Sequence, residues 1–221
     1  ELDQPLTELG FIGGVDIAGD KVTVRFRLPT YWCAANFAYM MSSDIRERVS
    51  ELPWVKQVDV LLQDHFHDEE INEGIKHGKT FLTAFPDATE SLDDLRETFR
   101  IKAFQARQER VLRWLKRKGL QEEAILRMRV GDLEQLLKKR QVAKLVERYL
   151  SIRQERGLSG DISAEAFSLP DGTPIDTGGL QLLLNKASST RLSMEFNTAF
   201  CSGLLKTRYG EDQQGLQNAA L

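Results

Sequence analysis

Between Val22 and Val49 the apolar period of the chain changes from two residues to about 3.6, and that change limits what this end of the chain can fold into. Val22, Val24, Phe26 and Leu28 alternate with Thr23, Arg25 and Arg27, the pattern of a strand with one buried face. Pro29 stops the strand. From Ala34 onward Phe37, Met40, Met41, Asp44 or Ile45, and Val49 recur at helical spacing, which predicts a helix along one face. Pro53 ends that helix, and Val58, Val60 and Leu62 alternate as a further strand. A glycine-entered strand over residues 9–17 precedes these elements, and Ala18-Gly19-Asp20-Lys21 suits a tight hairpin connector. The order strand, strand, helix, strand predicts an α+β N-terminal domain over residues 1–80, a small sheet with its packed helix.

Residues 81–90, with Pro86 and Asp87, read as a linker. Ser91 is placed as the N-cap of a long helix in which Asp93 and Asp94 favour the first turn. Phe99, Ala103, Ala106, Arg110, Arg113 and Leu115 lie along it, and Lys118-Gly119 ends it. A short helix is predicted over residues 121–130 and a third from Asp132, its cap, to Gly157. After a turn at Leu169-Pro170-Asp171-Gly172, two more helices are expected, near residues 180–186 and 194–208. Residues 88–221 are therefore expected to form an all-α C-terminal domain. A chain of 221 residues has room for both.

The formal net charge of −3 conceals an asymmetry. Residues 1–95 carry 8 Lys/Arg against 18 Asp/Glu, and residues 96–156 carry 18 against 8. Such halves attract each other or different partners, unless the basic stretch is simply a solvated helical face. No basic patch is interleaved with aromatics and no helix-turn-helix pattern occurs, so nucleic acid is not expected as a partner. No apolar run approaches a bilayer span, so no membrane partner is expected either. The 2 cysteines lie far apart, unlike a secreted disulfide framework, which points to the cytoplasm with both thiols reduced. The chain opens at Glu1 without methionine, so the natural N-terminus is expected upstream.

Three stretches carry residues suited to chemistry. In Leu28-Pro29-Thr30-Tyr31-Trp32-Cys33-Ala34 a cysteine stands where a strand ends and a helix begins. Unpaired amides and a partial positive charge there favour thiolate, the form that ligates metals and attacks electrophiles. Thr30 is placed to hydrogen-bond the sulfur or to cap the helix. The bland alternative is a cysteine that only fills space in the core. In Asp64-His65-Phe66-His67-Asp68-Glu69-Glu70 the His-x-His spacing puts two imidazoles on one face of a strand end, beside carboxylates, a set that suits iron, zinc or manganese. Asp68 as the cap of an acidic first turn explains the same stretch without a metal. Cys201 shares a predicted helix face with Asn197 and is either core or a second thiol that meets Cys33. Phosphate loops, His-Glu-x-x-His, Cys-x-x-Cys and Gly-x-Ser-x-Gly are all absent, so no conventional enzyme is expected. A cysteine hydrolase would need His65 or His67 against Cys33, with an oxyanion site at the Ala34 and Ala35 amides.

The run of glycine-entered strand, Gly-Asp hairpin, alternating strand, Thr-x-x-Cys, helix and Leu52-Pro53-Trp54-Val55 into a third strand resembles the SufT/PaaD family of metal–sulfur cluster assembly proteins. Glu1-Leu2 looks like the end of that family's Asp-Pro-Glu-Leu motif. The resemblance covers about residues 1–80 and leaves 88–221 unrecognised. It implies a maturation factor for iron or iron–sulfur centres, with Cys33 as its functional thiol and Thr30 and Glu1 supporting it. The cargo would be held transiently, and the candidate ligand set is Cys33, His65, His67 and Asp64. Partners implied are a client metalloprotein or other assembly factors, and a homodimer is compatible. Members that accompany multicomponent oxygenases point to a di-iron monooxygenase as client. The family usually has a second threonine where Pro29 stands and Pro-Gly-Cys-Pro around the thiol. Tyr31 and Trp32 replace those small residues and are expected to shield the sulfur. A protein-binding scaffold with a purely structural Cys33 is the alternative function.

Overall fold

The computed structural model describes residues 2–210. It contains an N-terminal three-stranded sheet with helices, followed by a mostly helical region, as the period change predicts. Strands β1 (Ile12–Ala18) and β2 (Lys21–Arg27) form an antiparallel hairpin, and β3 (Gln57–Gln63) pairs parallel with β2, in the order β1-β2-β3. Gly19, in the two-residue connector, has φ 65°, the left-handed conformation a tight hairpin turn demands. Helix α1 (Ala35–Ser50) crosses from β2 to β3, and α2 (Asp68–Lys76) follows β3.

Central β2 buries Val22, Val24 and Phe26, and the parallel register sets them beside Val58, Val60 and Leu62. Ala38, Tyr39 and Ile45 of α1 and Ile71 and Ile75 of α2 complete this core. The buried face of α1 is rotated from the predicted one. Ala38 and Ser42 are fully buried, while Phe37 and Met40 are only partly so. The cause is Tyr39, whose ring packs on Phe81 and Phe85 while its hydroxyl donates to the Lys79 carbonyl at 2.6 Å. Those two phenylalanines lie in the stretch expected as linker. Its first residues form a short helix, α3 (Phe81–Ala84), capped by Thr80, whose side chain accepts from the Thr83 amide.

The other elements are α4 (Leu92–Arg117), α5 (Glu122–Leu126), α6 (Val130–Leu136), α7 (Ala143–Glu155) and α8 (Leu180–Tyr209). Two compact units result: residues 96–196 form one, and residues 2–95 with the end of α8 from Asn197 form the other. In the helical unit Phe104, Leu112, Leu115, Leu133, Val146, Tyr149 and Leu180 share one core. The single helix expected from Asp132 to Gly157 is split into α6 and α7. A continuous helix carrying Leu133 and Leu136 inward would bring Arg140 to the same face, so the chain breaks at the charged run 138–140. Asp132 sits three residues into α6, where its carboxylate accepts from the Arg129 amide at 2.7 Å. The two expected C-terminal helices are one continuous α8. The apolar period through Leu180, Leu184, Ala187 and Met194 continues across position 191, where an arginine occupies the inward site.

Tyr149 is fully buried between α4 and the segment after α7. Its hydroxyl donates to Gln108 Oε1 at 2.6 Å, which also accepts from the Ser168 amide at 3.2 Å. Burial pushes the phenol's pKa well above the ordinary tyrosine value. Tyr149→Phe leaves the Gln108 oxygen one donor short, and the expected loss is about 1–2 kcal/mol of unfolding free energy. Urea titration should show a lower midpoint with an unchanged slope.

Candidate functional site

Because β2 and β3 run parallel, the loops that leave them emerge at the same end of the sheet. One loop carries Thr30 to Ala34 into α1, and the other carries Asp64 to His67 into α2. Two hydrogen bonds join them. The Phe66 amide donates to the Tyr31 carbonyl at 2.8 Å, and His65 Nε2 lies 2.7 Å from the Cys33 carbonyl. The Nδ1 of His65 accepts from the His67 amide at 3.1 Å. Since Nδ1 accepts, the ring proton resides on Nε2, which donates to Cys33. His65 is 2% exposed, and this burial is the main cause that lowers its pKa from the ordinary value.

Cys33 is half-buried and packs against the core of the sheet unit. It stands one residue before the cap of α1, Ala34, which makes no side-chain capping bond. The Thr30 hydroxyl lies 3.1 Å from Cys33 Sγ, so the threonine three residues upstream reaches the sulfur. Around the thiol the aromatics face outward. Trp32 is 77% exposed and Phe66 63% exposed, with Tyr31 in an edge-to-face contact with Phe66 at 6.0 Å. Rings that open to solvent shield little, contrary to the expectation from their size.

The His-x-His loop approaches Cys33 through its backbone, not its sulfur. Both nitrogens of His65 are engaged, so neither is open to take a proton from Sγ as a hydrolase would require. They are equally closed to a metal. Among the described residues no group of three or more His, Cys, Asp or Glu side chains is arranged to hold a metal ion. The set Cys33, His65, His67 and Asp64 is thus not gathered into a coordination sphere. His67 packs edge-on against Phe66 and Phe85, and its Nδ1 is buried without a hydrogen-bond partner, 3.7 Å from Glu70 Oε1. Asp64 adopts φ 56°, a left-handed conformation that Asp tolerates better than most residues. Glu1 lies outside the described residues.

Sequence reasoning missed the part played by the end of α8. Arg208 donates to the Leu28 carbonyl at 3.2 Å and to the Asp64 carbonyl at 2.6 Å, so one guanidinium clamps the starts of both loops. Leu205, one turn earlier, is buried in the core of the sheet unit. Only the helical spacing of Cys201, Leu205 and Arg208 hinted at this. Cys201 is half-buried against the same core as Cys33, and neither cysteine forms a disulfide.

Residues 1–60 match the family model described as iron-sulfur cluster assembly protein. This agrees with a SufT/PaaD-type metal–sulfur assembly domain at this end of the chain, and it supports a general role in iron–sulfur cluster assembly. The match takes in Thr30 and Cys33, and stops before the His65 loop. No curated protein and no solved structure matches the chain. Among the described residues no helix is long and apolar enough to cross a membrane.

His65 titrates with a definite sign. Its folded-state pKa lies below the ordinary value near 6.5, so the unfolded chain binds the proton more readily. The stabilisation is complete above about pH 6.5 and is lost as pH falls through the window between the unfolded and folded values, by at most about 1.4 kcal/mol per unit. His65→Gln keeps a donor near the Nε2 position but cannot titrate. Its unfolding free energy, measured between neutral and mildly acidic pH, should fall less steeply than that of the wild type.

Proposed function

We propose that the chain is a maturation factor that holds an iron or iron–sulfur cargo through Cys33 and passes it to a client protein. The observation that carries this is the thiol itself. It lies within the segment matched to iron–sulfur assembly proteins, with the Thr30 hydroxyl 3.1 Å from its sulfur and a face left partly open. The cargo is substrate here. A cluster needs several ligands, and this chain contributes one thiolate at the site, so the client or a second assembly factor supplies the others. Transfer is then a ligand exchange in which a client thiolate replaces that of Cys33 on iron. No electron changes hands, and Cys33 recovers a proton. Exposed Tyr31, Trp32 and Phe66 give the client an aromatic surface next to the exchange point, since aromatic residues concentrate at docking sites.

His65 acts as a positioning residue, holding the Cys33 peptide so that the sulfur keeps its place beside Thr30. The helical unit is assigned to holding the client, and its size favours a dedicated one such as a di-iron monooxygenase. A scaffold with a structural Cys33 is the competing reading, favoured by the packing of that side chain against the core.

Anaerobic titration with ferrous iron and sulfide, wild type beside Cys33→Ala, tests this. Thiolate-to-iron charge-transfer absorption is expected in the wild type alone, with matching far-ultraviolet dichroism for the two proteins. Thr30→Val, which keeps the shape but loses the hydroxyl, should weaken iron retention by about tenfold, the scale of one hydrogen bond to a charged acceptor. Absorption that survives in Cys33→Ala, or is absent from both proteins, would move the assignment to the scaffold.

A further inference from the structure

We propose that the helical unit carries a pocket for a short polyphosphate chain, organised by the buried carboxylate of Glu109. Glu109 lies on α4 and is 0% exposed, a position where an unpaired carboxylate would be very costly. It is fully partnered. Oε1 accepts from Arg113 Nε at 2.8 Å, Arg113 Nη2 at 2.6 Å and Ser188 Oγ at 2.7 Å, and Oε2 accepts from Arg191 Nε at 2.9 Å. One buried anion therefore fixes two guanidiniums, one from α4 and one from α8.

Neutralising Glu109 takes a single arginine, yet more cations converge. Arg110 pairs with Glu195 at 3.1 Å, and Arg191 also reaches Glu195 at 2.6 Å. Lys116 donates to Gln181 at 3.0 Å. Arg117, one helical turn beyond Arg113, is exposed and makes no hydrogen bond or ion pair among the described residues. Arg110 aside, four cations (Arg113, Lys116, Arg117 and Arg191) against the carboxylates of Glu109 and Glu195 leave an excess of two positive charges around two neighbouring cavities of about 330 and 390 Å³, both walled by Arg113 and Arg117.

A staple between helices needs no such excess and no open space on either side of an arginine ridge. Guanidinium forks match the spacing of oxyanion oxygens, and like charges held in advance need not be gathered when the ligand arrives. Two adjoining compartments with a combined surplus of two positive charges fit a di- or triphosphate better than a single carboxylate. Neither cavity is lined by an aromatic ring, so the phosphate chain and not an attached base is what the site recognises.

Calorimetric titration of the full chain with sodium tripolyphosphate at moderate salt tests the proposal. Saturable binding is expected, weakened about tenfold by Arg117→Gln with no change in melting temperature, because Arg117 takes no part in the Glu109 network. Arg140→Gln, an exposed cation elsewhere on the helical unit, should leave the affinity unchanged. ATP is expected to bind no tighter than tripolyphosphate. Absence of saturable binding, equal losses in Arg117→Gln and Arg140→Gln, or a marked preference for ATP would each overturn it.

Discussion

The hydrogen bond from His65 Nε2 to the Cys33 carbonyl joins the two loops on which the candidate thiol site depends. It exists because β2 and β3 are parallel, which delivers both loops to one end of the sheet. With the Phe66 amide on the Tyr31 carbonyl, it turns two separate connections into one platform. A histidine serves here because a neutral imidazole can donate from one nitrogen while accepting at the other. Burial keeps it neutral, and the His67 amide fixes the tautomer. Arg208 applies the same logic at the loop starts, satisfying two carbonyls with one planar cation.

This use of His65 has a chemical consequence. An imidazole committed to backbone support serves neither as a metal ligand nor as a general base, so the thiol region is left with the sulfur and the Thr30 hydroxyl. Such an arrangement suits a donor that must release its cargo, since a single thiolate exchanges more readily than a closed set of ligands. In the proposed transfer role the outward aromatics beside it would supply area for docking without adding ligands.

The helical unit solves a different electrostatic problem. Its segment 96–156 is strongly basic, yet its interior contains a carboxylate. Glu109 draws Arg113 and Arg191 into fixed positions, and the inward arginine keeps α8 continuous where the local sequence looks like a break. The hydrogen bonds from the Tyr149 hydroxyl and the Ser168 amide to Gln108 work similarly, tying α4 to the segment after α7.

Much of the sheet unit was legible locally, because a period of two or 3.6 follows from backbone geometry that neighbouring residues share. The strands at Val22–Leu28 and Val58–Leu62, the Gly19 turn and the pairing of Thr30 with Cys33 are all short-range. Local pattern misjudged α1's buried face, the break between α6 and α7, and the unity of α8. A distant group decided two of these, the Lys79 carbonyl and Phe81 for Tyr39 and Glu109 for Arg191, while the charged run 138–140 decided the break between α6 and α7. The sequence by itself determined the order β1, β2, α1, β3, the thiol at the loop before α1 and the charge asymmetry. Only the tertiary structure decided that the His65 ring would face the Cys33 backbone and that Arg208, some 140 residues away from Asp64, would clamp the loops. Those choices depend on which buried donors and acceptors meet in space, and no local spacing records that.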